Sequence, residues 1–158
     1  MLSYDLNREW LISKFEEIQY RILKAIEQLD DDQLNWRPDD LSHSISNLIK
    51  HIEGNTNEKI KNGILGGTVA RNRDDEFKHT YISKTELIKM VTTSFPLVID
   101  TVRTMPEQTF EQRQLVRNKE VTNLDVLLQC TAHFSEHTGQ ILYIAKMCLK
   151  NQYISTSF

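Results

Sequence analysis

The sequence predicts an all-α fold, a four-helix bundle, on three observations. Four segments carry apolar residues at three- and four-residue steps, the mark of a helix with one buried face. No segment alternates apolar and polar residues for long enough to build a sheet. Each of the last three helical segments is preceded by a hydroxyl residue able to cap it: Ser42 or Ser44, then Ser83, then Thr122.

In the first helix Leu11, Phe15, Ile18, Ile22, Ala25 or Ile26, and Leu29 form a single apolar stripe. Asp30, Asp31 and Asp32 and then the Trp36-Arg37-Pro38 turn end it, because the residue before a proline disfavours helix. The second helix carries Ile45, Leu48, Ile49, Ile52 and Ile60 and closes at Asn62-Gly63 and Gly66-Gly67. From Gly66 to Tyr81 the chain is polar and without period, which reads as a loop. Ser83-Lys84-Thr85-Glu86 is a capping box opening the third helix, which runs through Leu87, Met90, Val91, Phe95, Val98 and Val102 to Met105-Pro106. Pro96 inside it should kink or split it. Residues 107–121 are polar again; a short hairpin fits here, with Phe110 and Leu115 packing back. Thr122 with Asp125 caps the fourth helix, which reaches about Lys150. The connection between the second and third helices approaches twenty residues, and so long a crossover suits a bundle that is not simply up-down-up-down.

At 158 residues the chain is expected to form one domain, residues 1–158, large enough to bury a core without staples. The net charge of −3, with no block of Lys or Arg, leaves no footprint for nucleic acid. Apolar runs are too short for a membrane span. The stretch MLSYDLNREW carries acids early and lacks the apolar core of a signal peptide, so a cytoplasmic protein is expected. Cys130 and Cys148 fall in one helix, roughly 27 Å apart at about 1.5 Å per residue, too far to bridge. Neither belongs to a CxxC pair, so both read as reduced, packed thiols.

The chemistry lies in the fourth helix. Residues four apart stand one above the other on a helix, so His133 and His137 can chelate one ion. They fall in line with Val126, Cys130, Ile141, Ile144 and Cys148, an apolar stripe, and should face inward or into a cleft. An isolated HxxxH is of low specificity, and two core histidines satisfied by ordinary hydrogen bonds explain it equally well. His51, at the margin of the apolar stripe of the second helix, shifts the balance, since three inward imidazoles would otherwise need three separate sets of partners. Three neutral imidazoles with a fourth position open are the donor set of a catalytic metal site. Zinc and nickel suit imidazole best, and ligand type also admits iron or copper. His43 and His79, at a helix start and in the polar loop, read as surface residues.

His133-Phe134-Ser135-Glu136-His137 also matches HxxEH, the inverted zinc-protease signature, in which the Glu serves as general base. A short all-helical chain offers no strand to hold a peptide, so protease is the weaker reading, and Glu136 reads more simply as a solvated or supporting carboxylate.

Three elements in order now point to a family: Trp36-Arg37-Pro38, then Ser44 to Asn55 (SISNLIKHIEGN), then His133 to Ile141 (HFSEHTGQI). With this order and spacing the chain resembles the DinB/YfiT-like superfamily of metal-binding four-helix bundles over nearly its whole length. The resemblance implies up-down-down-up connectivity and a metal bound by a His on the second helix and an HxxxH pair on the fourth, which map onto His51, His133 and His137. It also implies a homodimer. Some members are thiol-dependent transferases or isomerases that use low-molecular-weight thiols such as bacillithiol, mycothiol or glutathione.

Two classes of function follow. The first is a metal-dependent enzyme acting on a small molecule, either a thiol S-transferase or a hydrolase using metal-activated water. In it Glu136, Asn55 or Gln140 would orient or deprotonate the nucleophile. The second is a non-catalytic metal-binding or stress-response bundle. Structural zinc sites usually close with four protein ligands, and only three are in sight, which favours the first.

Overall fold

The computed structural model describes residues 3–157; Met1 and Leu2, the start of the stretch read above for a targeting signal, and Phe158 lie outside the described residues. The chain forms α1 (Asp5–Glu27), α2 (Asp31–Asn35), α3 (Ile45–Thr56), α4 (Lys84–Thr104), α5 (Glu107–Glu111), a hairpin of β1 (Arg113–Val116) and β2 (Lys119–Thr122), and α6 (Asn123–Leu149). A π-helical turn, Asn57–Asn62, prolongs α3, and 3-10 turns lie at Asp74–Phe77 and Lys150–Gln152.

The long helices α1, α3, α4 and α6 are the four the periodicity predicts. α1 packs against α4 and α6, and α3 packs against the same two, so α1 and α3 take opposite corners. At the start of α1, Arg8 donates to the carbonyls of Val102 and Met105 at the end of α4, and Lys84 at the start of α4 donates to the carbonyls of Glu27 and Leu29 at the end of α1. Those two helices are therefore antiparallel, as an up-down-down-up order requires. Phe15 of α1 and Phe95 of α4 meet Phe134 of α6 edge-on, at 6.1 and 5.9 Å between ring centres. All three are fully buried, each contributing about 1.5–3 kcal/mol in removed apolar surface. Seating Phe134 there also fixes the rotation of α6 about its axis, which aims the histidines on either side.

Several local expectations change. Asp30 does not simply stop a helix. It caps α2, accepting from the Gln33 amide while the Gln33 side chain returns to the Asp30 amide, because acids favour the positive N-terminal end of a helix. Ser44, not Ser42, caps α3, paired with Asn47, and Thr122 with Asp125 caps α6 as the sequence predicts. Ser83 accepts from the Glu86 amide, but the return half of that capping box is not formed. Pro96 does not split α4, which is continuous through it. The expected hairpin is present; Phe110 is buried, but Leu115 is 67% exposed and does not pack back. Its two-residue turn uses Arg117 and Asn118, both at positive φ, the geometry that matches strand twist. Both cysteines are free, Cys130 buried and Cys148 half-buried. Among the described residues no helix is long and apolar enough to cross a membrane.

Candidate metal centre

His51, His133 and His137 come together: one nitrogen from each ring lies within 4.8 Å of the other two. His51 Nε2 is 3.3 Å from His133 Nε2, and His133 Nε2 is 2.8 Å from His137 Nε2. Around a tetrahedral ion with nitrogens at about 2.0–2.1 Å, two ligand nitrogens sit about 3.3 Å apart. The pair across α3 and α6 already has that spacing, and the pair within α6 needs to part by only about half an ångström.

The rings are also turned the right way. Glu76 Oε1 lies 2.8 Å from His51 Nδ1, and a carboxylate can only accept, so that nitrogen carries the proton and Nε2 keeps its lone pair. The Asn55 amide agrees, donating to His51 Nε2 at 3.2 Å and to the His51 carbonyl at 3.0 Å. On α6 the Gln140 Oε1 takes His137 Nδ1 at 2.7 Å and leaves its Nε2 facing the other rings. An imidazole held through one nitrogen by a carboxylate or amide oxygen while the other is bare is the arrangement protein metal sites use. The donor set and its supports fit a divalent ion.

Burial lowers the pKa of His51, with His137 and Arg71 adding to it against the opposing pull of Glu76. Burial, then the neighbouring His137 and His51, push His133 down to about 4, and Lys59 and Arg71 act in the same direction. Rings kept neutral are the form that ligates. His51 is buried, and His133 and His137 are half-buried. They stand beside the buried stripe of α6 (Val126, Leu127, Cys130, Phe134, Ile141), not within it, so the site opens toward solvent on one side.

The irregular stretch between α3 and α4 supplies what the sequence reading missed. Glu76, on the 3-10 turn, is 3% exposed. Burial alone would raise its carboxyl, but hydrogen bonds from Arg71 and His51 outweigh that and hold it below the usual carboxylate range. Arg71 grips both oxygens, Nε to Oε2 and Nη2 to Oε1 at 2.9 Å each, and reaches Glu58 with Nη1 at 2.6 Å. Asn47 donates to the carbonyls of Glu76 and Lys78, pinning the turn to α3. Gly54 makes room: a Cβ there would fall on the Glu76 carboxylate. The only trace of this in the sequence is a Glu-Phe pair within a polar stretch.

His43 is not the surface residue expected. Its ring lies 4.4 Å from that of Phe77, which is itself 4.9 Å from His51, and its Nδ1 is buried with no partner among the described residues. His79 is exposed, as expected. Glu136 is exposed and, among the described residues, makes no hydrogen bond or ion pair; the carboxylate built into the centre is Glu76.

The fold is that of the DinB-like all-helical proteins. A solved DinB-like protein of Bacillus subtilis, YjoA, superimposes with a TM-score of 0.67 at 15% identity, over 94% of this chain and 96% of that one. A conserved protein of Enterococcus faecalis gives a TM-score of 0.70 at 14% identity, over 88% and 95%. More specifically, the chain belongs to the family described as "Protein of unknown function (DUF1572)", whose model matches residues 5–158. A search of the curated proteins found no match.

Proposed function

We propose that His51, His133 and His137 hold a divalent ion, zinc or nickel by the preference of imidazole, in a three-histidine centre with one side open to a small molecule, and that the protein is a metal-dependent enzyme. The observation that carries this is the convergence of three Nε2 atoms, with the outer nitrogens of His51 and His137 tied off by Glu76 and Gln140. A divalent ion supplies Lewis acidity, lowering the pKa of a coordinated thiol or water toward neutrality. The work left to the chain is to hold the rings neutral and oriented. Glu76 fixes the His51 proton on Nδ1, Arg71 keeps Glu76 ionised, and Phe77 walls one side of the His51 ring. Three protein ligands, not four, favour a reactive over a purely structural ion, and thus a thiol S-transferase using a low-molecular-weight thiol, or a hydrolase. For proton transfer Glu136 is reached only from solvent, and a Glu136→Gln variant tests that role.

The experiment is metal analysis of protein purified without a histidine tag, followed by turnover of a thiol with an electrophilic acceptor by parent and His137→Ala proteins. Stoichiometric metal and loss of turnover in the variant are expected; equal rates would remove the ion from the chemistry. A large fall in Tm on chelation with no turnover would favour a non-catalytic, fold-stabilising ion. Alongside it we propose a cytoplasmic homodimer. Exposed Leu6 and Trp10 on α1 and Leu128 and Tyr143 on α6 offer it apolar surface, whereas α4 exposes no large hydrophobic residue among those described. Sedimentation at micromolar concentration tests it.

A further inference from the structure

The π-helical turn after α3 carries a cation that the metal site does not use. Hydrogen bonds from the Gly63 amide to the Glu58 carbonyl and from the Leu65 amide to the Ile60 carbonyl are the five-residue steps that define the turn. In an α-helix each four-residue step drifts about 40° around the axis, so a column begun by His51 and Asn55 would slip sideways by residue 59. A π turn takes in an extra residue and so offsets that drift at Lys59, whose carbonyl is tied through Gln114 to Asn123 at the start of α6; such turns recur at functional sites. Lys59 is half-buried, and among the described residues its ammonium has no hydrogen-bond or ion-pair partner. Its charge also acts on the buried thiol of Cys130, about one turn before His133 on α6. Arg71, the cation beside His51, is already matched by Glu76 and Glu58. A half-buried cation about two turns beyond His51, with its neighbours' charges balanced, is arranged for an anion from outside.

We propose that Lys59 is the recognition residue for a carboxylate on the small molecule that enters the open side of the three-histidine centre, so that the substrate or thiol is an acid and not a neutral molecule. This rests on the metal reading above and adds a substrate class to it.

The test loads the full chain with Co2+ and titrates two thiols, 3-mercaptopropionate and 2-mercaptoethanol, following the visible spectrum of the ion. Both ligate an open cobalt site whichever reaction it serves, so the ratio of their Kd values isolates the carboxylate. The parent should prefer the acidic thiol about tenfold, the worth of one charge-assisted hydrogen bond. Lys59→Met should abolish the preference, while Lys59→Arg and Lys61→Met, the latter at an exposed position of the same turn, should keep it. No preference in the parent, or one that survives Lys59→Met, overturns the proposal and leaves the metal centre standing. So does an equal loss in Lys61→Met, which would show a diffuse field. Absence of a cobalt spectrum in every protein would take down the metal reading, and this one with it.

Discussion

The two sides of the metal centre are built on different principles. On α6, His133 and His137 are a local device: helical spacing stacks them, and Gln140, one turn beyond, orients the second. On α3, His51 is a tertiary device, since its ring is set by Glu76, 25 residues away, which is set in turn by Arg71 and by the room that Gly54 leaves. The α6 side is half-exposed and tolerant; the α3 side is buried, charged and closely fitted. A helix alone can place two ligands, but holding a third at fixed orientation takes a buried ionic network.

The sharpest way to break this comparison is to remove a ligand from each side. His51→Ala and His133→Ala should both abolish metal binding in isothermal titration, as each leaves only two imidazoles. Retained stoichiometric binding in either would mean the ion sits elsewhere. Removing the supports should separate the sides. Glu76→Gln is expected to weaken metal affinity by roughly 10–100-fold by competition with a chromophoric chelator, whereas Gln140→Ala should fall at or below the lower end of that range. Equal losses would erase the distinction between the tertiary and the local device. Gly54→Ala should cost about 1–3 kcal/mol in chemical denaturation, because the carboxylate it meets is pinned on both oxygens and cannot swing away. Gly139→Ala on α6, where a Cβ meets nothing within 4 Å, should cost nothing and gain slightly in helix propensity.

The last effect is in pH. His133 titrates at about 4 in the folded chain, against 6.5 for the free side chain. Between those values the unfolded chain binds the extra proton, so stability of the metal-free protein is whole above about 6.5 and declines as pH falls toward 4. Denaturation at pH 7 and pH 5 should show that decline in the parent and less of it in His133→Gln.

What was legible in the sequence follows the same division. The four long helices could be read because Leu11, Phe15, Ile22 or Val91, Phe95, Val98 repeat at the period of the structure they form. His133 and His137 could be read for the same reason. The fate of Asp30 could not, since an acid run after a helix serves equally to end one or to cap the next. Glu76, and the cover that Phe77 gives His43, could not, because residues 66–81 have no period, and nothing local says that one acid among Asp74, Asp75 and Glu76 is buried against a histidine on α3. His51 was readable as a ligand but not as an oriented one.

The hairpin, too, bears on the centre. Gln114 of β1 donates to the Lys59 carbonyl and to Asn123 Oδ1, and so bolts the widened turn of α3 to the first residue of α6. The two helices that carry the ligands are thus clamped together at one end by a side chain that makes no hydrogen bond to any of the three histidines. Loosening that bolt would let the α3 and α6 ends splay like the arms of a clothes-peg, changing how far apart the rings stand while leaving every ligand in place.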